Sequence, residues 1–252
     1  MISNLKNFRK IEAKSVKNQA SDKKEMYLLR GGPLDKISKE EERLLKEKYN
    51  LKTVIDFRSQ SERLEKPNKK IRNVDYYQVE VLDPDKSVCK NPKDFLSEYQ
   101  KSDDLNFMQK LYKEFSLNTF TQESYRDFLN IVAKSRGSVY FHCTAGKDRT
   151  GFASMLLLEI LEADEKDIYL DYLKTNDFSK DDYILILNDL KKAYDYQIED
   201  SKLKDMIGVR KEYLQYSKDL ILKDYKSVLE YIEKALRVDS DTINLIKSKY
   251  TV

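Results

Sequence analysis

Apolar positions along the chain cluster in short runs of two kinds. Residues 139–141, Val-Tyr-Phe, form a brief apolar run after a Gly-Ser turn and read as a buried strand. Residues 26–29 read the same way and are followed by a turn, Arg30-Gly31-Gly32-Pro33-Leu34. Residues 51–57 hold Val54-Ile55-Asp56-Phe57, another buried strand, and residues 74–82 alternate well enough for a fourth. Helical spacing covers the rest. One charged helix opens at Ile37-Ser38 and runs to about residue 48. Residues 92–116 read as a helix interrupted at Ser102-Asp103-Asp104, and residues 121–135 as one capped by Thr121. Ala153, Met155, Leu156, Leu157, Leu158, Ile160 and Leu161 give a mostly buried helix. Beyond it the chain reads as all helix. Asp164 starts one, and Asp181 another with Tyr183, Leu187, Leu190 and Tyr194 on one face. Residues 1–25 are polar and weakly periodic, a surface arm unless something tethers them. With neither internal repeat nor low-complexity linker, residues 1–252 read as a single domain.

Composition narrows the function classes. A charged fraction of 36% beside 40% hydrophobic residues suits a soluble globular chain with a heavily solvated surface. The net charge of +3 is too small to argue for a nucleic-acid partner. No apolar run approaches the roughly twenty residues of a membrane span, and residues 1–7 lack the apolar core of a signal peptide. The cysteines, Cys89 and Cys143, do not make a disulfide framework or show ligand spacing for a metal, and His142 is the only histidine. A cytoplasmic monomer without metal or other cofactor is the expectation, with export under a signal absent from this chain as the alternative. The tyrosines scattered over the helices fit amphipathic core and surface positions.

The chemistry concentrates in Gly137-Ser138-Val139-Tyr140-Phe141-His142-Cys143-Thr144-Ala145-Gly146-Lys147-Asp148-Arg149-Thr150-Gly151. Cys143 falls where a strand ends, and Arg149 where a helix begins. A loop running into a helix N-terminus points several backbone N–H groups at one spot, and the helix dipole adds partial positive charge there. Phosphate fits such a cradle. The same field favours a thiolate, lowering a free cysteine from its usual value of about 8.5. Arg149 adds a planar fork able to hold two phosphate oxygens. A Walker-type loop is excluded, because Phe141 stands where it needs glycine and Asp148 where it needs Ser or Thr. A merely structural buried cysteine leaves the adjacent His142 and the Gly-Lys-Asp-Arg-Thr-Gly run without explanation.

His-Cys-Thr-Ala-Gly-Lys-Asp-Arg-Thr-Gly resembles the signature of the atypical bacterial tyrosine phosphatases, which act on phosphoproteins and, in several members, on phosphoinositides. Asp56-Phe57-Arg58-Ser59 with Glu62 and Pro67, Asp171-Tyr172-Leu173-Lys174-Thr175-Asn176, and residues 208–214 are similar to further elements of that family. Arg30 matches as well, whereas Asn7-Phe8-Arg9-Lys10 keeps only the Asn and Arg of the family's opening element. The resemblance implies an α/β fold of the cysteine-phosphatase type, a mostly parallel sheet flanked by helices with a helix-rich C-terminal half. It also implies a mobile helical element over the site, which residues 92–116 could supply as a lid, ordinary packing helices being the alternative.

The expected reaction has two steps. Cys143 attacks phosphorus to give a phosphocysteine, and water hydrolyses it. Backbone N–H groups from Thr144 through Ala145, Gly146 and Lys147 to Arg149 hold the equatorial oxygens along the 142–150 loop. His142 braces the loop, Thr150 donates its hydroxyl to the sulfur, and Asp56 and Arg58 support from the neighbouring strand end. Asp148 is the favoured general acid by proximity to the leaving group, ahead of Asp83 and Asp85 in an Asp-Pro-Asp turn. Lys147 at the mouth suits a phosphoinositide headgroup as well as phosphotyrosine. Cys89 is read as structural.

Overall fold

The computed structural model describes residues 4–16, 26–89, 97–98, 104–177 and 207–251. Five strands form one sheet: β1 (Arg9–Lys10), β2 (Leu28–Gly31), β3 (Leu51–Asp56), β4 (Asp75–Gln78) and β5 (Ser138–His142). Their order is β1-β2-β5-β3-β4, with β1 antiparallel to β2 and every other pair parallel. The run at 139–141 therefore becomes the central strand. Its side chains divide between the two faces as the pleat requires. Val139 and Phe141 join Leu28 and Ile55 in the larger core, while Tyr140 joins Leu29 and Val54 on the other side. Burial on both faces is what makes these strands continuous apolar runs rather than alternating ones.

Helix α1 (Lys39–Glu47) is opened by a capping box, Ser38 accepting from the Glu41 amide while Glu41 accepts from that of Ser38. Helix α2 (Gln60–Glu65) repeats the device with Ser59 and Glu62. Helices α3 (Asp104–Leu117) and α4 (Thr119–Lys134) follow. The second is capped by Asn118 rather than Thr121, whose hydroxyl instead donates to Val81 O. Helix α5 (Asp148–Ile160) leaves the central strand through the 143–147 loop, and α6 covers residues 165–177. Then come α7 (Lys211–Asp224), α8 (Val228–Lys234) and α9 (Ser240–Tyr250). The expected helix from Asp181 lies outside the described residues. Among the described residues no helix is long and apolar enough to cross a membrane.

Three expectations are corrected. Residues 4–16 are not a surface arm. Positions 5, 7, 9 and 11 are buried, residues 4–7 form a turn with Asn7 at φ 56, and β1 pairs with β2, so this stretch is tied to the sheet edge. Its burial escapes a hydrophobic reading because two of the buried positions are Asn7 and Arg9. The described part of residues 92–116 is a packing helix rather than a lid. Phe107, Met108, Leu111, Tyr112 and Phe115 of α3 are all buried in the main core. The strand expected over 74–82 is shorter, Asp75–Gln78, an exposed edge, although Val79 and Val81 continue its hydrogen bonds to Asp56 O and Phe57 O.

Candidate active site

In an open parallel sheet, ligands meet the carboxyl ends of the strands. Here β5 ends at His142, with Gly31 of β2 and Asp56 of β3 opposite it in register. The loop from Cys143 to Lys147 rises from that point into α5. Cys143 is buried at 3% exposure, and neither it nor Cys89 is in a disulfide. Among the described residues, the amides of Thr144, Ala145 and Gly146 donate no hydrogen bond. Asp148, Arg149 and Thr150 form the first helical turn, whose N–H groups have no intrahelical acceptor, and no side chain caps this helix. A row of unsatisfied donors at a helix start is an anion cradle.

Gly146 has φ +65, and a Cβ there would lie 2.3 Å from the Gly31 backbone. The loop can fold against β2 only with glycine at this place. Its outward carbonyls are taken up behind the cradle. Asn7 Nδ2 donates to Gly146 O at 2.8 Å and Arg30 Nη2 to the same oxygen at 3.0 Å.

Arg149 is where the structure changes the expected picture most. Its Nη1 and Nη2 donate to Glu62 Oε2 and Oε1 at 2.8 and 2.9 Å, and Nη2 also meets Thr144 Oγ1 at 3.2 Å. Nη1 also approaches Phe57 O at 3.4 Å, so both terminal nitrogens are engaged and Nε is the guanidinium nitrogen without a hydrogen bond among the described residues. Glu62 does double duty, since its Oε2 also accepts from the Ser59 amide at 2.8 Å and its Oε1 from the Thr144 hydroxyl. Burial opposes its ionisation, yet the Arg149 charge and these donors outweigh that and hold its carboxyl at about 2.

His142 meets the loop through its ring. Its Nδ1 donates to Cys143 O at 3.1 Å, which leaves Nε2 to accept from Asn68 Nδ2 at 3.0 Å. Asn68 Nδ2 also donates to Asp56 Oδ2 at 2.9 Å, and Asp56 in turn holds Arg58 through Nε and Nη2, at 2.9 and 2.7 Å. Burial lowers the His142 pKa, with the Asp56 charge opposing, so the ring is neutral in this network. Asp56 and Arg58 are thus paired with each other and reach the loop only through Asn68 and His142.

Asp148 stands at the start of α5 with both oxygens met. Tyr112 donates to Oδ1 at 3.0 Å, and Lys147 Nζ lies 3.4 Å from Oδ2. Tyr172 completes a hydroxyl pair with Tyr112 at 2.6 Å. Burial, and then the Asp148 charge, push the Tyr112 phenol well above its ordinary range, keeping it a neutral donor. Lys147 is not a flexible rim lysine. Its side chain is 7% exposed, and Nζ donates to Gly208 O at 3.1 Å. Nor does the Thr150 hydroxyl reach the sulfur. Enclosed in the first turn of α5, it is buried and makes no hydrogen bond among the described residues. Asp83 accepts from the amides of Asp85 and Lys86, an ordinary side-chain turn at the surface.

Sequence reasoning missed Glu62 and Asn68 as site residues, together with Asn7, Arg9, Arg30 and Asp171 behind the loop. Glu62, Asn7, Arg9, Arg30 and Asp171 were visible only as matches to family elements, and Asn68 not at all.

Buried titratable groups make the fold acid-sensitive. His142 is depressed below its ordinary 6.5 and Glu62 below 4.5, so in both cases the unfolded chain binds the proton more readily. Their stabilisation is present above those unfolded values. That of His142 is lost first as pH falls below 6.5, and that of Glu62 between 4.5 and about 2. The melting temperature should therefore fall steadily on acidification, and Glu62→Gln should flatten the lower part of the curve. A melting temperature that held constant between about pH 6.5 and pH 4 would contradict this account.

Comparison with known proteins agrees with this geometry. A model of the Tyrosine phosphatase family matches residues 1–252, and the chain belongs to that family. The Triple specificity protein phosphatase PtpB of Mycobacterium tuberculosis is 30% identical over 149 residues, 56% of this chain and 53% of the relative. A protein of Cupriavidus necator, named a tyrosine-protein phosphatase by inference, is 32% identical over 133 residues, 53% of this chain and 46% of the relative. The matched stretch thus spans about half the length of these relatives.

Proposed function

We propose that the chain is a cysteine-dependent phosphatase hydrolysing phosphotyrosine through a phosphocysteine intermediate. The observation that carries this reading is the uncapped start of α5, where free loop amides and the Arg149 guanidinium surround the end of β5 at Cys143. The thiolate attacks phosphorus in line, the phosphorus–oxygen bond to the leaving group breaks, and the departing oxygen takes a proton. Water then cleaves the phosphorus–sulfur bond and releases inorganic phosphate. Negative charge grows on the equatorial oxygens, and the loop amides and the Nε–H of Arg149 supply donors for it.

Phosphoserine and phosphothreonine are a natural extension, given the triple specificity in the name of the mycobacterial relative. Phosphoinositide hydrolysis stays a second reading. It loses the argument from a mobile Lys147, whose amine is turned to Gly208 and Asp148 instead. The direct test is an assay with an artificial aryl phosphate in the presence of a chelator, with and without vanadate. Vanadate-sensitive, chelator-resistant release of phosphate supports the proposal, and no release above background overturns it.

Asp148 is the proposed general acid, since it lies one residue from Arg149 at the cradle's edge and Tyr112 and Lys147 fix its carboxyl. Asp148→Asn should lower kcat on phosphotyrosine peptides by about 10²-fold or more. The loss should be much smaller on an aryl phosphate whose leaving group needs no proton. Equal losses on both substrates would remove Asp148 from that role.

A further inference from the structure

The back of the phosphate loop is built as a closed circuit of buried charge, and it involves residues that touch no substrate. Asn7 Nδ2 and Arg30 Nη2 converge on Gly146 O at 2.8 and 3.0 Å, and Arg30 Nη2 also approaches Lys147 O at 3.4 Å. Arg30 Nη1 continues to Asp171 Oδ2, and Asp171 Oδ1 accepts from Arg9 Nε at 3.2 Å. Arg9 Nη1 closes the ring by donating to Asn7 Oδ1, which leaves Asn7 with its amide nitrogen facing the loop. Arg9 is anchored further, through Nη2, by Asp171 O at 2.7 Å and Thr175 Oγ1 at 3.1 Å.

The arrangement is costly. The side chains of Arg9, Arg30 and Asp171 are 5%, 0% and 2% exposed, so two cations share one carboxylate out of water. Burial and the Arg30 charge bring Arg9 down to about 10, and Arg30 Nε is left without a hydrogen bond. An apolar cluster of the same volume would stabilise the fold as well. The circuit instead supplies donors to a carbonyl that the positive φ of Gly146 turns away from the cradle. A donor on that carbonyl fixes the peptide plane and polarises it, strengthening the N–H on its far side. The excess positive charge behind the loop adds to the field that an anion meets in front.

Resting on the phosphatase reading above, we propose that Arg30 is a positioning residue for phosphate, held in place by Asp171 and Arg9, with Asn7 as its partner on the same carbonyl. The circuit sets the loop for an oxyanion before one arrives. Arg30→Lys tests this, because a single ammonium can pair with Asp171 but cannot also span to Gly146 O. Asn7→Ala tests it independently, since it removes a donor from Gly146 O while Arg9, which loses the Asn7 side-chain acceptor, stays paired with Asp171.

For the full chain, the Ki of inorganic phosphate against aryl phosphate hydrolysis is measured at a temperature where melting curves show every variant folded. Arg30→Lys should raise this Ki about tenfold, the scale of one charge-assisted hydrogen bond, and Asn7→Ala about fivefold, the scale of a neutral one. Each should also lower kcat/KM by up to about 10²-fold, as expected for a displaced reacting geometry. A purely structural role would lower the melting temperature while leaving the Ki of the folded enzyme unchanged. A Ki within twofold of the unaltered protein for the folded variants overturns the proposal, and Asn7→Ala decides if Arg30→Lys does not fold. An unaltered protein that neither hydrolyses the aryl phosphate nor binds inorganic phosphate overturns the phosphatase reading itself and this proposal with it.

Discussion

Cys143→Ser is expected to abolish turnover while leaving oxyanion binding nearly intact. The substitution exchanges sulfur for oxygen in a site whose donors come from elsewhere. The loop amides, the α5 N-terminus and Arg149 stay where they are, because the loop's shape depends on Gly146, on Asn7 and Arg30 behind it, and on His142 at Cys143 O. What is lost is the nucleophile, since a serine hydroxyl is not ionised by a field strong enough to favour a thiolate. Removing the nucleophile of a covalent hydrolase costs on the order of 10⁶-fold in kcat. The measurement is release of phosphate from an aryl phosphate, beside the dissociation constant of vanadate or phosphate for the same preparation. Turnover near that of the unaltered protein would sink the phosphocysteine mechanism. Loss of both turnover and anion binding would instead show that the sulfur helps shape the cradle.

The parts of this site that were legible in the sequence are those that are contiguous. His142 to Gly151 carries strand end, loop and helix start in one stretch, so the chemistry could be read without knowing the fold. Asp56 and Arg58 were legible as a strand-end pair, and the register of β3 with β5 brings Asp56 opposite His142. What stayed hidden is held together by long-range contacts. Asp171 lies 162 and 141 residues from its partners Arg9 and Arg30, and no local period connects them. Asn7, in a turn, and Arg9, on β1, are both buried, where a hydrophobicity reading takes polar residues as evidence of exposure. Glu62 was legible only as a match to a family element, and the structure gives it two roles, N3 of a capping box and partner of Arg149. Lys147 misled for the complementary reason. A lysine in a loop is usually solvated, and only the fold shows that Gly208 O is waiting for its amine.

Arg149→Lys is expected to cost about 10²–10³-fold in kcat despite preserving the charge. The guanidinium has two faces of use here. Its Nη1–Nη2 edge lies against the Glu62 carboxylate, a bidentate pair that fixes the plane of the group. With both terminal nitrogens engaged, Nε–H is the donor left for charge that develops on the transferring phosphoryl oxygens. A lysine ammonium can satisfy Glu62 or reach toward the phosphate, but it has no plane and cannot do both with defined geometry. Stability should fall less than activity, because Glu62 keeps a cation nearby. Glu62→Gln separates the two functions from the other side. It retains a capping-box residue at the start of α2 but removes the charge that anchors Arg149. Its expected signature is a smaller loss of kcat with a lower melting temperature near neutral pH, the reverse balance to Arg149→Lys. Steady-state kinetics on one aryl phosphate with melting curves for both variants provide the check. An Arg149→Lys enzyme within a few-fold of the unaltered kcat would show that charge alone suffices, and the bidentate geometry with Glu62 would then have no catalytic consequence.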